Sequence, residues 1–322
     1  LLLFFAGMEI SPRKFAENWK VPTLGTMLQI SVTMMLVYLF GSLLNYAIAN
    51  IVLFGFVICL SSTAVVLKLL QDSGSLRTRL GQNVLGVLLV QDLAVIPMLI
   101  IIGILGGTQP TTTEIIVQII GGILVMSLAT FMAVKKNIKV PFLSKLGRDE
   151  EMRVFAALII CFGMAAITGE LGLSLALGAF IGGMTVATLE ETEWVGHSLN
   201  PVKTIFMALF FISIGMLIDL NMVWDRMLQF AVILVGIFFL NTAINTIIFK
   251  SLHQKTSESL ISGAMLSQIG EFSFVLISMG YSLNIITDYM YAEYVTLVSL
   301  SLLLSPLWIS AVKIFIKKFI NE

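Results

Sequence analysis

The sequence runs to 322 residues, 58% hydrophobic and only 12% charged, with 19 basic and 19 acidic side chains and no net charge. A soluble domain carries roughly twice that charged fraction, which excludes water as the main solvent. The zero balance leaves no basic face for nucleic acid, and no nucleophile, base and orienter set or metal-ligand spacing points to an enzyme or to a bound cofactor.

Apolar runs long enough to cross a bilayer, roughly 20 residues at 1.5 Å each, recur along the whole chain. In order they cover about 1 to 10, 25 to 46, 49 to 71, 82 to 105, 115 to 134, 153 to 169, 172 to 189, 201 to 220, 226 to 249, 258 to 281 and 292 to 315. The first is too short to span and has no basic leader or cleavage site, so it reads as the back half of a helix whose front is missing. The expectation is a single all-α polytopic transmembrane transport domain over 1 to 322, with about 10.5 spans and no soluble regulatory domain. Cys59 and Cys161 lie within apolar runs and read as small core residues, not as a disulfide or metal site.

Laying these spans alternately across the membrane puts eighteen of the nineteen basic residues on one side, with Arg226 alone on the other. By the positive-inside rule that side is cytoplasmic, and the C-terminus lies there too. An internal repeat follows from Leu3-Phe4-Phe5 with Gly7-Met8, which resembles Leu209-Phe210-Phe211 with Gly215-Met216 at an offset of 208 residues. The same offset lays Ser61-Ser62-Thr63 over Ile269-Gly270-Glu271 and the Asp92 helix near the last span, each pair crossing in opposite directions.

Asp92 stands about ten residues into its span, near the bilayer midplane. An ionised carboxylate there costs several kcal/mol without a partner, so a proton and a cation compete for it, which is the chemistry of antiport. A permanently protonated Asp92 bonding between helices is the bland alternative. Gln91 points roughly 100° away and reads as a neighbouring donor or packing group as readily as a ligand. Pro97 removes a backbone bond further along the span.

Ser61-Ser62-Thr63 and Gln268-Ile269-Gly270-Glu271 interrupt two apolar spans at matching places. Such interruptions mark broken helices, whose ends offer partial charges and free carbonyls to an ion while hydroxyls complete its shell. A continuous helix with hydroxyls bonded to the preceding turn is the other reading. Ser62, Thr63, Gln91 and Asp92 are thus the candidate cation and proton site, a monovalent cation being held at Asp92 alone. Ser61, Gln268, Gly270 and Glu271 support the breaks. Glu271, at a half-helix N-terminus, reads as a fixed anion, with proton carriage as the alternative. Gly178, Gly182 and Gly183 form a small-residue packing face, and Asn241 and Asn245 read as interhelical hydrogen bonds. Glu190, Glu191, Glu193 and His197 are expected in a solvated loop, where His197 could sense pH.

Together, Ser61-Ser62-Thr63-Ala64, the run Leu88 to Pro97 with Gln91-Asp92 at its centre, Leu171-Gly172-Leu173-Ser174 to Phe180, Leu209 to Met216 and Gly270-Glu271-Phe272-Ser273-Phe274-Val275 resemble the cation:proton antiporter-2 family. The Gln-Asp pair is most similar to its Kef-type potassium/proton members. The resemblance covers the whole chain. It implies a sodium/proton-antiporter-like inverted-repeat fold with two crossing discontinuous helices, a homodimer, a bacterial inner (plasma) membrane, and a carboxylate at Asp92 that binds ion and proton. Two and a half helices of the family would then be missing here. Gln91 replaces the Asp or Asn of sodium-selective relatives, which leans toward potassium. The last span has no lysine before Lys313, so the intramembrane lysine of electrogenic relatives is absent and electroneutral exchange is expected. Kef-type proteins continue into a cytosolic regulatory domain, so a regulatory domain or subunit outside this chain is an implied partner. A gated potassium efflux channel using the same site, or a non-transporting membrane sensor, would be consistent with the same residues.

Overall fold

The structure, a computed structural model, describes residues 2–9, 19–107, 116, 117, 120–124, 127, 128, 131, 150–171, 175–188 and 193–319. The span read at 115 to 134 falls largely outside these residues, as do Glu190 and Glu191. The regular structure among the described residues is helical: α1 (Leu2–Glu9), α2 (Lys20–Leu43), α3 (Ile48–Cys59), α4 (Thr63–Asp72), α5 (Arg79–Leu105), α6 (Glu150–Glu170), α7 (Leu175–Thr188), α8 (Glu193–Met216), α9 (Leu220–Asp225), α10 (Met227–Ser251), α11 (Thr256–Met265), α12 (Phe272–Ser282) and α13 (Asp288–Phe319). Five stretches among them, Lys20–Leu43, Ile48–Asp72, Arg79–Leu105, Met227–Ser251 and Asp288–Phe319, are long and apolar enough to cross a membrane.

Two compact units divide the chain, one made of Leu1–Trp19 with Pro110–Phe210 and the other of Lys20–Gln109 with Phe211–Glu322. In the smaller unit α1 packs against α7, and α7 against α6. A Cβ on Gly7 would meet the carbonyl of Phe180, and one on Gly183 the carbonyl of Phe4, so the two backbones touch where these glycines face each other. Without an aqueous phase to drive helices together, such close approach is the main source of attraction between them. Gly178 does the same toward Met164 and Thr168 of α6. Phe4, Phe5, Ala157, Cys161 and Leu199 fill the space around this contact.

Helix α8 begins at Glu193, eight residues before the expected start at 201, and Pro201 lies inside it. The apolar run sets the span at 201, whereas the helix itself includes the more polar turns Glu193 to Asn200 before it. Glu193 and the backbone of His197 are therefore helical, not loop.

The larger unit is built twice over. Moving α2 by 208 residues gives 228 to 251, against the observed Met227–Ser251 of α10. The half-helices α3 and α4 map onto 256 to 267 and 271 to 280, where α11 and α12 are Thr256–Met265 and Phe272–Ser282. Helix α5 maps onto 287 to 313, inside one residue of the start of α13. Both long helices carry an internal proline at nearly matching places, Pro97 and Pro306. The offset read from a short motif at the N-terminus thus organises every helix of this unit from α2 to α5 and from α10 to α13.

Candidate functional site

Each discontinuous helix stops at a short non-helical segment and restarts, which leaves backbone groups without helical partners at a depth where water is scarce. At the first break Leu60 and Ser62 take extended φ/ψ, and the Ser62 hydroxyl accepts from the Val65 amide at 3.2 Å, capping α4. At the second, α11 ends at Met265 and α12 begins at Phe272. The two breaks touch. The Gly270 amide donates to the Leu60 carbonyl at 2.7 Å, and the Ser61 hydroxyl donates to the Leu266 carbonyl at 2.8 Å. A Cβ on Gly270 would lie 2.5 Å from the Ser61 carbonyl oxygen, so only glycine permits this crossing.

Neighbouring helices supply the remaining partners. Gln91 on α5 accepts from the Ser61 amide at 3.0 Å and donates to the Cys59 carbonyl at 3.2 Å and to the Gln29 carbonyl oxygen. Gln29 on α2 donates to the same Cys59 carbonyl at 2.9 Å. In the second half Ser301 on α13 accepts from the Ile269 amide at 3.1 Å. Asn241 on α10 donates to both the Ile58 and the Ser267 carbonyls at 3.2 Å, tying one break to the other. Asn245 instead bonds the Asn241 carbonyl of its own helix, so only one of the two asparagines is interhelical.

Asp92 sits beside this crossing, 6% exposed, with the Thr63 hydroxyl donating to its Oδ2 at 3.3 Å. Thr63 is the first residue of α4, so the carboxylate faces the positive end of a half-helix. Glu271, at the start of α12, reaches the Ser62 hydroxyl and the Ala64 backbone N–H of the opposite half-helix, and it also acts on Asp92 electrostatically. Among the described residues its enclosed Oε2 has no hydrogen-bond partner. Gln268 is fully buried, and among the described residues neither its oxygen nor its nitrogen has a partner. Two carboxylates and a hydroxyl therefore converge on one crossing, with unpartnered oxygen in the second break.

All eight candidate residues lie in or beside the breaks. Ser62, Thr63, Asp92 and Glu271 come together, while Ser61, Gly270 and Gln91 are occupied in holding the backbone. Gln29, Asn241 and Ser301 complete the scaffold. The sequence offered only one signal for the first of them, a lone amide in an otherwise apolar helix.

The sequence profile of the family described as sodium/hydrogen exchanger, transmembrane, matches residues 1–313. The iron transporter MagA of Paramagnetospirillum magneticum is 32% identical over 309 residues, which cover 96% of this chain and 71% of that protein. K(+) efflux antiporter 6 of Arabidopsis thaliana is 32% identical over 95% of this chain and 52% of its own length. The glutathione-regulated potassium-efflux system protein KefC of Escherichia coli O6:H1 is 28% identical over 95% of this chain and 50% of its own. The chain thus spans about half the length of these two potassium-efflux relatives. With the helical architecture, the apolar spans and a profile match that covers nearly every residue, the chain belongs to the sodium/hydrogen exchanger family of integral membrane cation/proton exchangers.

Proposed function

We propose that this chain exchanges a monovalent cation, potassium in preference to sodium, for a proton at Asp92, one for one and without net charge movement. The observation that carries this reading is the position of Asp92, on α5, facing the N-terminus of the half-helix α4, bonded to Thr63 and next to a second carboxylate. The half-helix dipole and the Thr63 hydroxyl favour the anion, while burial penalises it. The site is therefore best neutralised by one bound positive species, either a proton or a cation, and neither can stay when the other arrives. Ser62, Thr63 and break carbonyls supply oxygen donors for a cation that sheds its water. Glu271, at the N-cap of α12, is taken as a fixed anion whose charge the half-helix dipole compensates.

Two further features support the finer claims. The Gln91 amide is committed to Ser61, Cys59 and Gln29, so it adds no charge to the site. The preference for potassium rests on Gln91 standing beside Asp92 where sodium-selective members of the family resembled carry Asp or Asn. The last helix has no lysine before Lys313, so no second titrating cation at the midplane accompanies the exchange. On the same reading residues 1 to 322 act as one transport domain in a homodimer in a bacterial inner membrane, with the C-terminus in the cytoplasm. Gating comes from a cytosolic domain or subunit outside them.

Proteoliposomes holding a full-length parent test the proposal. An imposed pH gradient alone should drive potassium uphill, sodium less well, with no membrane potential developed, and Asp92→Asn should reduce the flux to the empty-liposome level. Unchanged exchange in Asp92→Asn would sink the assignment. Passive potassium flux far above any proton-coupled flux would make the protein a channel instead, and ferrous iron as the better driven ion would align it with its iron-transporter relative.

A further inference from the structure

A cleft of about 640 Å³ opens in the larger unit where the C-terminal end of α2 and the N-terminal ends of α3, α10 and α13 meet, and its inner end reaches Ile58, just before the first break. Its deep walls are apolar, formed by Phe40, Ile51, Ile237 and Leu240 among others. Its mouth is polar. From Arg226 to Ile237 along α10 is eleven residues, or roughly 16 Å of helix, about the thickness of one leaflet of a hydrocarbon core. Gly236 lines the cleft, and a Cβ there would meet nothing within 4 Å, so helix α10 leaves a channel beside its own backbone.

At the mouth two opposite charges are held on different helices. The Arg226 guanidinium lies over the Tyr289 ring at 4.9 Å, which fixes its plane. Gln229 donates to Glu293 Oε1 at 3.1 Å, and Arg226 and Glu293 are near enough to interact electrostatically. An apolar slot one leaflet deep, closed at the surface by a fixed cation beside a fixed anion, has the shape and charge order of a zwitterionic amphiphile.

We propose that this cleft binds a phospholipid of the phosphatidylethanolamine type, with one acyl chain along Gly236 between α3 and α10. Arg226 takes the phosphate through paired N–H donors, and Glu293 takes the primary ammonium through its hydrogens. A choline headgroup has no N–H to give Glu293, and an anionic glycerol headgroup brings no cation to it, so both fit less well.

Native mass spectrometry of the purified, delipidated full chain titrated with dioleoyl phosphatidylethanolamine, phosphatidylcholine or phosphatidylglycerol tests the assignment. The ethanolamine lipid should bind roughly tenfold more tightly than the other two, a difference of about 1.4 kcal/mol. Arg226→Ala and Glu293→Gln should each abolish that preference. A Cβ at Gly236 has open space, so Gly236→Leu should occupy part of the slot and remove bound lipid while leaving the lipid-free thermal midpoint unchanged. Equal binding of the three lipids, a preference that survives both headgroup variants, or full lipid binding by a folded Gly236→Leu would each overturn the proposal.

Discussion

At the first break the Ser61 amide donates to Gln91 on α5; at the second, 208 residues on, the Ile269 amide donates to Ser301 on α13. The two halves solve the same backbone problem with different side chains. A long amide in the first half makes three bonds where a short hydroxyl in the second makes one to the break. The chemistry diverges further at neighbouring positions. Asp92 has Leu300 as its counterpart, and Thr63 has Glu271. Duplication therefore accounts for the frame of two crossing half-helix pairs, and the acids were placed on it unequally. One, Asp92, on a continuous helix, accepts from the Thr63 hydroxyl; the other, Glu271, at a half-helix start, reaches hydroxyl and amide donors of the opposite half.

That inequality sets the order of expected effects. The largest is Asp92→Asn, which removes exchange altogether while leaving the frame intact. Next is Gly270→Ala, because the new methyl group would collide with the Ser61 backbone and neither chain can yield without opening the crossing. Overpacking of this kind costs about 3 kcal/mol, and the apparent midpoint of thermal unfolding in detergent should fall by roughly 6 °C or more. A Gly270→Ala protein with unchanged midpoint would show that the breaks do not touch as described.

Gln91→Leu and Ser301→Ala compare the halves directly. Leucine at 91 strands the Ser61 amide and leaves the Gln29 carbonyl oxygen short of a donor in a region without water, so a loss of about 1–3 kcal/mol for each stranded group is expected. Ser301→Ala strands only the Ile269 amide. The midpoint should therefore drop further in Gln91→Leu than in Ser301→Ala. Equal drops would mean that the first half is not the more heavily bonded of the two.

Much of the frame was legible beforehand. Apolar runs separated by turn residues located the spans, and the Ser61-Ser62-Thr63 and Gln268-to-Glu271 interruptions marked both breaks because polar clusters are costly in lipid. The offset of 208 could be read from Gly7 and Gly215 since duplicated helices keep their lengths. What stayed hidden depended on tertiary approach. The Ser61 hydroxyl bonds Leu266, 205 residues away, and Asn241 bonds Ile58 across 183. Neither contact leaves a periodic trace. Ser301 was hidden for a different reason, being one hydroxyl among several serines in the last helix. The start of α8 lies ahead of the apolar run because a helix can extend past the hydrocarbon in polar turns, which an apolar run does not mark.

The smallest expected effect concerns the acid at the far end of the half-helix whose N-terminus faces Asp92. Asp72 closes α4 at the end opposite Thr63 and pairs with Lys68 one turn back, both side chains about half exposed. Water and salt screen this pair, and a carboxylate at a helix C-terminus faces the unfavourable end of the dipole, so the two contributions nearly cancel. Asp72→Asn should shift stability by less than about 0.5 kcal/mol and leave exchange unchanged in the same liposome assay used for Asp92→Asn. The contrast sets a buried carboxylate of α5, which faces the N-terminus of α4, against an exposed one at the C-terminus of α4. If Asp72→Asn also reduced exchange, charge along α4 as a whole would matter, and the special standing of Asp92 at its buried N-terminus would be lost.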